Sequence, residues 1–229
     1  MVSFNIHHGT VGRRGPVDPQ RLGEVCTSFG ADVIALQEVD QGTWRAKGAD
    51  LAAVVADACG MVHVFGASRW FPGGHYGNAL LVRGAITSSE VIRLPKVPAW
   101  RIGQERRTAI TADVTIDGLD LWLACTHLAV ASRVSGVQLD ALVAAIPLDR
   151  GPRVLLGDFN RGSAAVEGPL RALAMGRAEH GATFPARRPR RTIDHVFTSA
   201  ELVVTNAVVS STAMSDHAAL VVDLAVQPG

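Results

Sequence analysis

Cysteine and lysine are scarce in this sequence of 229 residues. The three cysteines, Cys26, Cys59 and Cys125, lie far apart and match no spacing of zinc ligands. Their odd number and apolar surroundings predict reduced, buried thiols in a cytoplasmic protein. Lysine occurs only as Lys47 and Lys96, so arginine supplies nearly all of the positive charge. We interpret this first as compositional bias and second as selection for side chains that grip phosphate.

Long apolar runs and a strong net charge are also missing. No apolar stretch approaches the ~20 residues that a membrane span needs, and the N-terminal MVSFNIHHG lacks the basic and apolar regions of a secretion signal. The net charge of +1 argues against a protein that coats nucleic acid by bulk charge, although it leaves local patches open. With 48% hydrophobic and 19% charged residues, the chain has a sizeable core and is not of the disordered class.

Strand and helix patterns alternate along the chain. Asp18 followed by Pro19 is typical of a helix N-terminus. The later part is rich in predicted strands, and Asp117-Gly118 between two of them favours a hairpin. Because no low-complexity linker divides the chain, we predict one mixed α/β domain over residues 1–229. The hairpins disfavour a purely parallel, doubly wound sheet.

An apolar strand that ends in a carboxylate needs an explanation, and VLLGDFNRGS, residues 154–163, contains one. Gly157, Asp158 and Asn160 are common turn formers, so an ordinary turn explains this stretch about as well as a functional site does. Other polar residues lie at or near predicted strands: Asn5, Glu38 and His127 end strands, Asp194 lies inside one, and Asp216 and His217 come just before the last one. Each of these has an ordinary explanation alone, whereas together they can converge on one edge of the core.

The chemistry of this set favours a hard metal ion and a proton shuttle. Oxygen ligands from Asn, Glu and Asp suit Mg²⁺, whereas zinc would prefer more histidine or cysteine. Imidazoles beside carboxylates donate hydrogen bonds or move protons near neutral pH. The set therefore favours metal-assisted attack of water on a phosphoester.

Five short motifs, NIHHG, LQEVD, GDFN, TIDH and SDH, occur in this order between Asn5 and His217. In order and spacing they resemble the endonuclease/exonuclease/phosphatase superfamily, which includes DNase I-like nucleases, abasic-site endonucleases, neutral sphingomyelinases and inositol polyphosphate 5-phosphatases. The resemblance implies a four-layer α/β sandwich, in which two packed, mainly antiparallel β-sheets are flanked by helices. It also implies an active site at one end of the sandwich.

The resemblance implies a role for each matched residue. Glu38 would be the principal Mg²⁺ ligand, with Asn5 beside it and Asp216 nearby, and Mn²⁺ is a candidate substitute for the metal. Asp158 would orient or deprotonate the attacking water, and Asn160 would help to position the water or the phosphate.

Further matched residues would act on the phosphate. His217 would hydrogen-bond the scissile phosphate and stabilise its developing charge, while Asp194 would hold His217 in the required tautomer and orientation. His127 would donate to a non-bridging phosphate oxygen. Asn78 resembles a family position that lines the phosphate site.

Two groups of residues bear on the substrate. The arginines form two clusters, one of Arg101, Arg106 and Arg107 and the other of Arg187, Arg188, Arg190 and Arg191. The second cluster precedes Asp194 closely, so Arg188 and Arg191 are predicted to bind phosphates of the substrate; a solvated loop is an equally good interpretation. The segment RWFPGGHYGN is predicted to be a loop whose aromatic side chains stack on a base, touch a lipid or fold over the sandwich edge.

The sequence thus predicts a Mg²⁺-dependent phosphoesterase that hydrolyses a phosphodiester or phosphomonoester by direct attack of water, with a nuclease as one form. The alternative substrates are phospholipids or inositol phosphates. A catalytically silent binding module on the same fold is a third interpretation, which the complete set of site residues disfavours. The oligomeric state is not predicted.

Overall fold

Two six-stranded sheets form the centre of the structure, a computed structural model that describes residues 1–12, 15–97 and 105–227. The first sheet has the order β11-β12-β1-β2-β4-β3, and the second has the order β5-β6-β7-β8-β10-β9. In chain order the strands are β1 (Val2–Asn5), β2 (Val33–Gln41), β3 (Val62–Phe71), β4 (Gly74–Val82), β5 (Ala85–Arg93), β6 (Thr108–Ile116), β7 (Leu119–His127), β8 (Arg153–Asp158), β9 (Met175–Arg177), β10 (Asp194–Ser199), β11 (Leu202–Ser210) and β12 (Ala219–Val226). Only the β1–β2 and β7–β8 pairs among these strands are parallel.

Four α-helices cover the outer faces of the sheets: α1 (Pro19–Ser28), α2 (Leu51–Cys59), α3 (Ser132–Ala144) and α4 (Ser163–Arg171). Leu22 and Val55 bring α1 and α2 into the core of the first sheet. Leu139 and Val166 bring α3 and α4 into the core of the second. A third core, which includes Leu80 and Leu123, fills the space between the sheets. The predicted four-layer sandwich is therefore confirmed.

Local signals located several element boundaries correctly. Asp18 caps α1 by accepting a hydrogen bond from the Arg21 amide, and Asp117-Gly118, both at positive φ, turns β6 into β7. All three cysteines are buried and free, as predicted. No helix in the described ranges is long and apolar enough to cross a membrane.

The prediction of a loop at RWFPGGHYGN is wrong. This segment is a β-hairpin, in which Trp70 pairs with His75 and Phe71 pairs with Gly74 across a Pro72-Gly73 turn. Strand pairing with β2 continues the sheet through the segment, because β4 also pairs with residues 33–41. Tyr76, one of the aromatic residues of this segment, is 3% exposed.

Candidate active site

Strand register brings three of the predicted residues side by side in the second sheet. His127 at the end of β7 lies opposite Asp158 at the end of β8, and Asp158 lies opposite Asp194 at the start of β10. Asn5 ends β1 in the first sheet, and its Nδ2 donates to Glu38 Oε1 at 3.2 Å and to Asp158 Oδ2 at 3.0 Å. One amide therefore joins the carboxylates of the two sheets.

Glu38 lies in a bulge of β2. Leu36 pairs with Ala79 and Val39 pairs with Gly77, so two residues of β2 oppose the single residue Asn78. The bulge holds Glu38 at a φ of +59°, a conformation that costs a non-glycine residue of order 1–3 kcal/mol. Such strain is common at functional sites, and here it falls on the predicted metal ligand.

The buried Asn78 connects the two sheets at the same end of the sandwich. Its Nδ2 donates to the carbonyl oxygen of Thr108 at 2.9 Å. Its predicted contact with a phosphate stays a prediction.

In the GDFN motif, one carboxylate oxygen of Asp158 closes a turn and the other faces the site. The Asn160 amide donates to Asp158 Oδ1 at 2.8 Å, and Asn160 lies at a φ of +51°. This side chain-to-backbone bond is the local turn chemistry that Asp offers. The second oxygen of Asp158 remains directed toward Asn5 and the histidines.

His217 is held by Asp194 and packs against Phe184. Its Nδ1 lies 3.0 Å and 3.2 Å from the two oxygens of Asp194, and its Nε2 lies 3.7 Å from Asp158 Oδ2. An ionised carboxylate can only accept, so Nδ1 carries a proton. Thr183 Oγ1 donates to Asp194, and the Phe184 ring lies 4.7 Å from the His217 ring, centroid to centroid. Neither Thr183 nor Phe184 was predicted, because no motif marks them.

The charges around His217 favour its protonated form. Burial by itself lowers the pKa of His217, but the carboxylates of Asp194, Asp158 and Asp216 outweigh burial and raise this pKa to about 10. Burial raises the pKa of Asp158 to about 7, and repulsion from Asp194 adds to the effect.

The buried Arg107 fixes the tautomer of His127. Arg107 lies 3.0 Å from His127 Nδ1, and a guanidinium has no acceptor, so Nδ1 accepts and the proton resides on Nε2. That Nε2 lies 3.4 Å from Asp158 Oδ2. Burial, followed by the Arg107 charge, lowers the pKa of His127 well below its usual value. His127 is therefore a neutral donor, and Arg107, one of the first arginine cluster, is buried beside it.

Glu38 has the environment of a metal ligand. Its Oε2 lies 3.2 Å from His8 Nε2, but burial lowers the pKa of His8 to about 3, so this neighbour is neutral. Burial also raises the pKa of Glu38. Within the described residues this half-buried carboxylate has no Lys or Arg in ion-pair contact, and a divalent cation would supply the missing charge. The donor set fits an oxygen-preferring cation at this position.

The other two predicted metal ligands, Asn5 and Asp216, differ from Glu38 in their contacts. Asn5 Oδ1 accepts from the His7 amide at 3.1 Å, so its nitrogen faces the carboxylates. The half-buried Asp216 carboxylate makes no hydrogen bond to the part of the chain that the structure describes. Its neighbour Ser215 links the motifs, because Ser215 Oγ donates to the Asn5 carbonyl at 2.6 Å and accepts from the His217 amide at 3.0 Å.

The second arginine cluster lies beside His217. The Arg191 guanidinium lies 5.9 Å from the centre of the Phe184 ring, which packs on His217. Arg188 is exposed in the same turn. Their predicted contact with substrate phosphates stays a prediction, and Arg101 lies outside the described residues.

His195 follows Asp194 in β10 and is fully buried beside Phe159 and Phe197. Its Nε2 donates to the Arg161 carbonyl oxygen at 2.9 Å, and its buried Nδ1 has no partner among the described residues. Burial lowers the pKa of His195 to about 4. The neutral ring is therefore part of the core.

We expect the free energy of unfolding to fall as the pH is lowered from about 6.5 to about 4. Across this range the unfolded chain protonates His195 while the folded chain does not, so His195 contributes a loss of about 3 kcal/mol. Urea unfolding of wild type and His195→Gln at several pH values checks this, because the variant should show a shallower decline. Equal declines in the two proteins would contradict it.

The comparisons with known proteins concern the family and the fold. Residues 2–217 match the sequence profile of the Endonuclease/Exonuclease/phosphatase family, whereas a search of curated proteins found no match. An endonuclease/exonuclease/phosphatase from Beutenbergia cavernae has a TM-score of 0.85 and 24% identity, and the match covers 98% of this chain and 70% of that one. The human Nocturnin catalytic domain with bound sulfate has a TM-score of 0.78 and 22% identity, and the match covers 99% of this chain and 92% of that one. D. rerio TDP2 complexed with single-strand DNA product has a TM-score of 0.72 and 18% identity, covering 98% of each chain. Because the profile spans nearly the whole sequence, the chain belongs to the endonuclease/exonuclease/phosphatase family.

Proposed function

We propose that this protein hydrolyses a phosphoester by direct attack of water, with Mg²⁺ as its metal and Mn²⁺ as a substitute. Asp158 is the main support for this proposal. Its Oδ2 is buried within 3.7 Å of Nε2 of both His127 and His217 and lies 3.0 Å from Asn5 Nδ2. A carboxylate between two imidazoles can take a proton from water while the imidazoles bind the phosphate.

Each neighbour of Asp158 has a role in the proposed reaction. Asp158 accepts the proton of the attacking water, which Asn160 helps to position. The Nε2–H groups of His127 and His217 donate hydrogen bonds to phosphate oxygens, where preorganised donors stabilise the developing charge. Asp194 keeps His217 protonated on Nδ1 and correctly oriented.

Glu38 would hold the metal, with Asn5 and Asp216 as further ligands. When bound, the metal polarises a phosphate oxygen and offsets its charge. The half-buried Glu38 carboxylate, which has no ion-pair contact with a Lys or Arg in the described ranges, supports this assignment.

The family relationship supports a phosphoester substrate without selecting one. The structure of Nocturnin holds a sulfate and that of TDP2 holds a single-strand DNA product. An anionic phosphoester is the chemistry that both point to for this chain, and nucleic acid is our first candidate. Phospholipids and inositol phosphates are the alternatives.

A mixed panel of substrates tests this function. Plasmid DNA, single-stranded RNA, bis-p-nitrophenyl phosphate, inositol phosphates and sphingomyelin vesicles are incubated with Mg²⁺, Mn²⁺ or EDTA, and released phosphate or product is measured. We expect metal-dependent hydrolysis of one substrate class. Silence across the panel by a folded protein would favour the binding-module interpretation instead.

Replacing the metal ligand sharpens this test. Glu38→Gln removes the charge but keeps the size, so we expect the Mg²⁺ concentration for half-maximal activity to rise at least about tenfold. Glu90→Gln, an exposed position on β5, is the matched control and should behave as wild type. An unchanged Mg²⁺ response of Glu38→Gln would place the metal elsewhere.

A further inference from the structure

A basic groove lies next to the candidate active site. It encloses about 390 Å³, and its lining includes Arg69, Trp70, Arg93, Lys96, Arg106 and Arg107. In the sequence, Arg106 and Arg107 belong to an arginine cluster and Trp70 to a separate aromatic segment, whereas Arg93 and Lys96 belong to neither. The folded chain places them along one surface, where β3, β4, β6 and the segment after β5 meet.

The charge of this basic groove is only partly neutralised from within. Glu105 pairs with Arg69 at 2.8 Å and with Arg107 at 2.9 Å. Arg93, Lys96 and Arg106 are exposed and form no ion pair with any residue in the described ranges. Three cations without acidic partners along one surface favour an anionic ligand with more than one charge.

A chain of contacts connects the basic groove to the catalytic residues. Arg69 pairs with Glu105, Glu105 pairs with Arg107, and Arg107 lies 3.0 Å from His127 Nδ1. His127 in turn lies beside Asp158. A ligand in the groove would therefore continue directly from a phosphate bound at His127.

The exposed side chain of Trp70 indicates that the ligand also carries an aromatic ring. Its side chain is 67% exposed, and it pairs with the exposed His75 across the β3–β4 hairpin. A flat, exposed indole among cations matches a ligand that carries both phosphates and aromatic rings, because bases stack on aromatic side chains while Arg and Lys bind the backbone. An inositol phosphate has the charges but no aromatic ring that could stack on Trp70. A base in a duplex is already stacked on its neighbours.

We propose that the basic groove binds a segment of single-stranded nucleic acid that flanks the scissile phosphate. This inference rests on the proposed function for the position of the scissile bond, but the binding itself needs no catalysis. Trp70 stacks on a base, while Arg93, Lys96 and Arg106 contact backbone phosphates.

Binding of a fluorescein-labelled eight-nucleotide DNA or RNA, measured by anisotropy in EDTA, tests this proposal without turnover. Trp70→Ala should raise the Kd about tenfold. The double variant Arg93→Ala/Lys96→Ala should lower the slope of log K against log salt by about 0.7 for each lost phosphate contact. Thermal unfolding of each variant confirms that these exposed substitutions leave the fold intact.

Matched controls separate the groove from the rest of the surface. Trp44 is 77% exposed outside the groove, so Trp44→Ala should bind as wild type. Arg21→Ala/Arg171→Ala removes the same charge from α1 and α4 and should preserve the slope. Groove variants that bind no worse than these controls would overturn the proposal.

The outcome is independent of the panel experiment. Oligonucleotide binding that depends on the groove in a protein without hydrolytic activity would sustain this inference and defeat the proposed function. Hydrolysis by a protein whose groove variants bind oligonucleotides normally would support the proposed function and overturn this inference. If inositol hexakisphosphate binds through Arg93 and Lys96 while Trp70→Ala has no effect on oligonucleotides, the groove is a site for a polyphosphate and the proposal fails.

Discussion

Asp158→Asn is expected to lower kcat/KM about 10³-fold while the protein remains folded. The amide cannot take a proton from water, and in the proposed reaction no other carboxylate replaces Asp158. Asp194 already accepts from His217 and Thr183, and Glu38 would bind the metal. The rate is measured on whichever substrate the panel identifies, under saturating metal.

Two opposing effects leave the stability of this variant close to that of wild type. The new amide nitrogen faces the Asn5 donor, which lies 3.0 Å from Oδ2 in the native protein, and this costs about 1–3 kcal/mol. In return, the variant no longer buries a carboxylate beside Asp194; this burial, and then the repulsion from Asp194, raise the pKa of Asp158 in the native protein. Asp113→Asn, at a surface carboxylate on β6, is the control. A rate for Asp158→Asn within tenfold of this control would exclude Asp158 as the base.

Gly157→Ala is expected to lower the free energy of unfolding by about 3 kcal/mol and the Tm by about 10 °C. Gly157 pairs with Thr126 in the parallel β7–β8 ladder at a φ of +150°. A Cβ at this position would lie 2.0 Å from the Thr126 carbonyl oxygen. The atoms that this Cβ would meet are all backbone atoms of Thr126, so the two strands must separate, and Asp158 next to the substitution moves with them. Activity should therefore fall together with stability.

Gly151→Ala is the matched control for this substitution. A Cβ at Gly151 meets nothing within 4 Å, and the residue lies just before the same strand. Urea unfolding and thermal unfolding of both variants compare the two positions. Equal midpoints would mean that β7 and β8 tolerate a side chain at Gly157.

Features that depend on neighbouring residues were predicted well from the sequence. Asp18 before Pro19 marks a helix start because the cap bond joins residues three apart. Asp117-Gly118 marks a hairpin because its backbone accepts positive φ. Local patterns do not mark β5 or β9, because β5 is largely exposed and β9 has three residues, so neither has a strong apolar pattern.

Residue type and local order in GDFN, TIDH and SDH were enough to identify the family, and with it the sandwich and the candidate site residues, because the chemistry of these motifs is carried by short segments. How those residues meet depends on the tertiary structure. The register that places Asp158 between His127 and Asp194 depends on strand pairs far apart in the chain. Packing across strands also brings Arg107 to His127. It places Trp70 in one groove with Arg93 and Lys96. No local pattern encodes such contacts, since each depends on which distant strand becomes the neighbour.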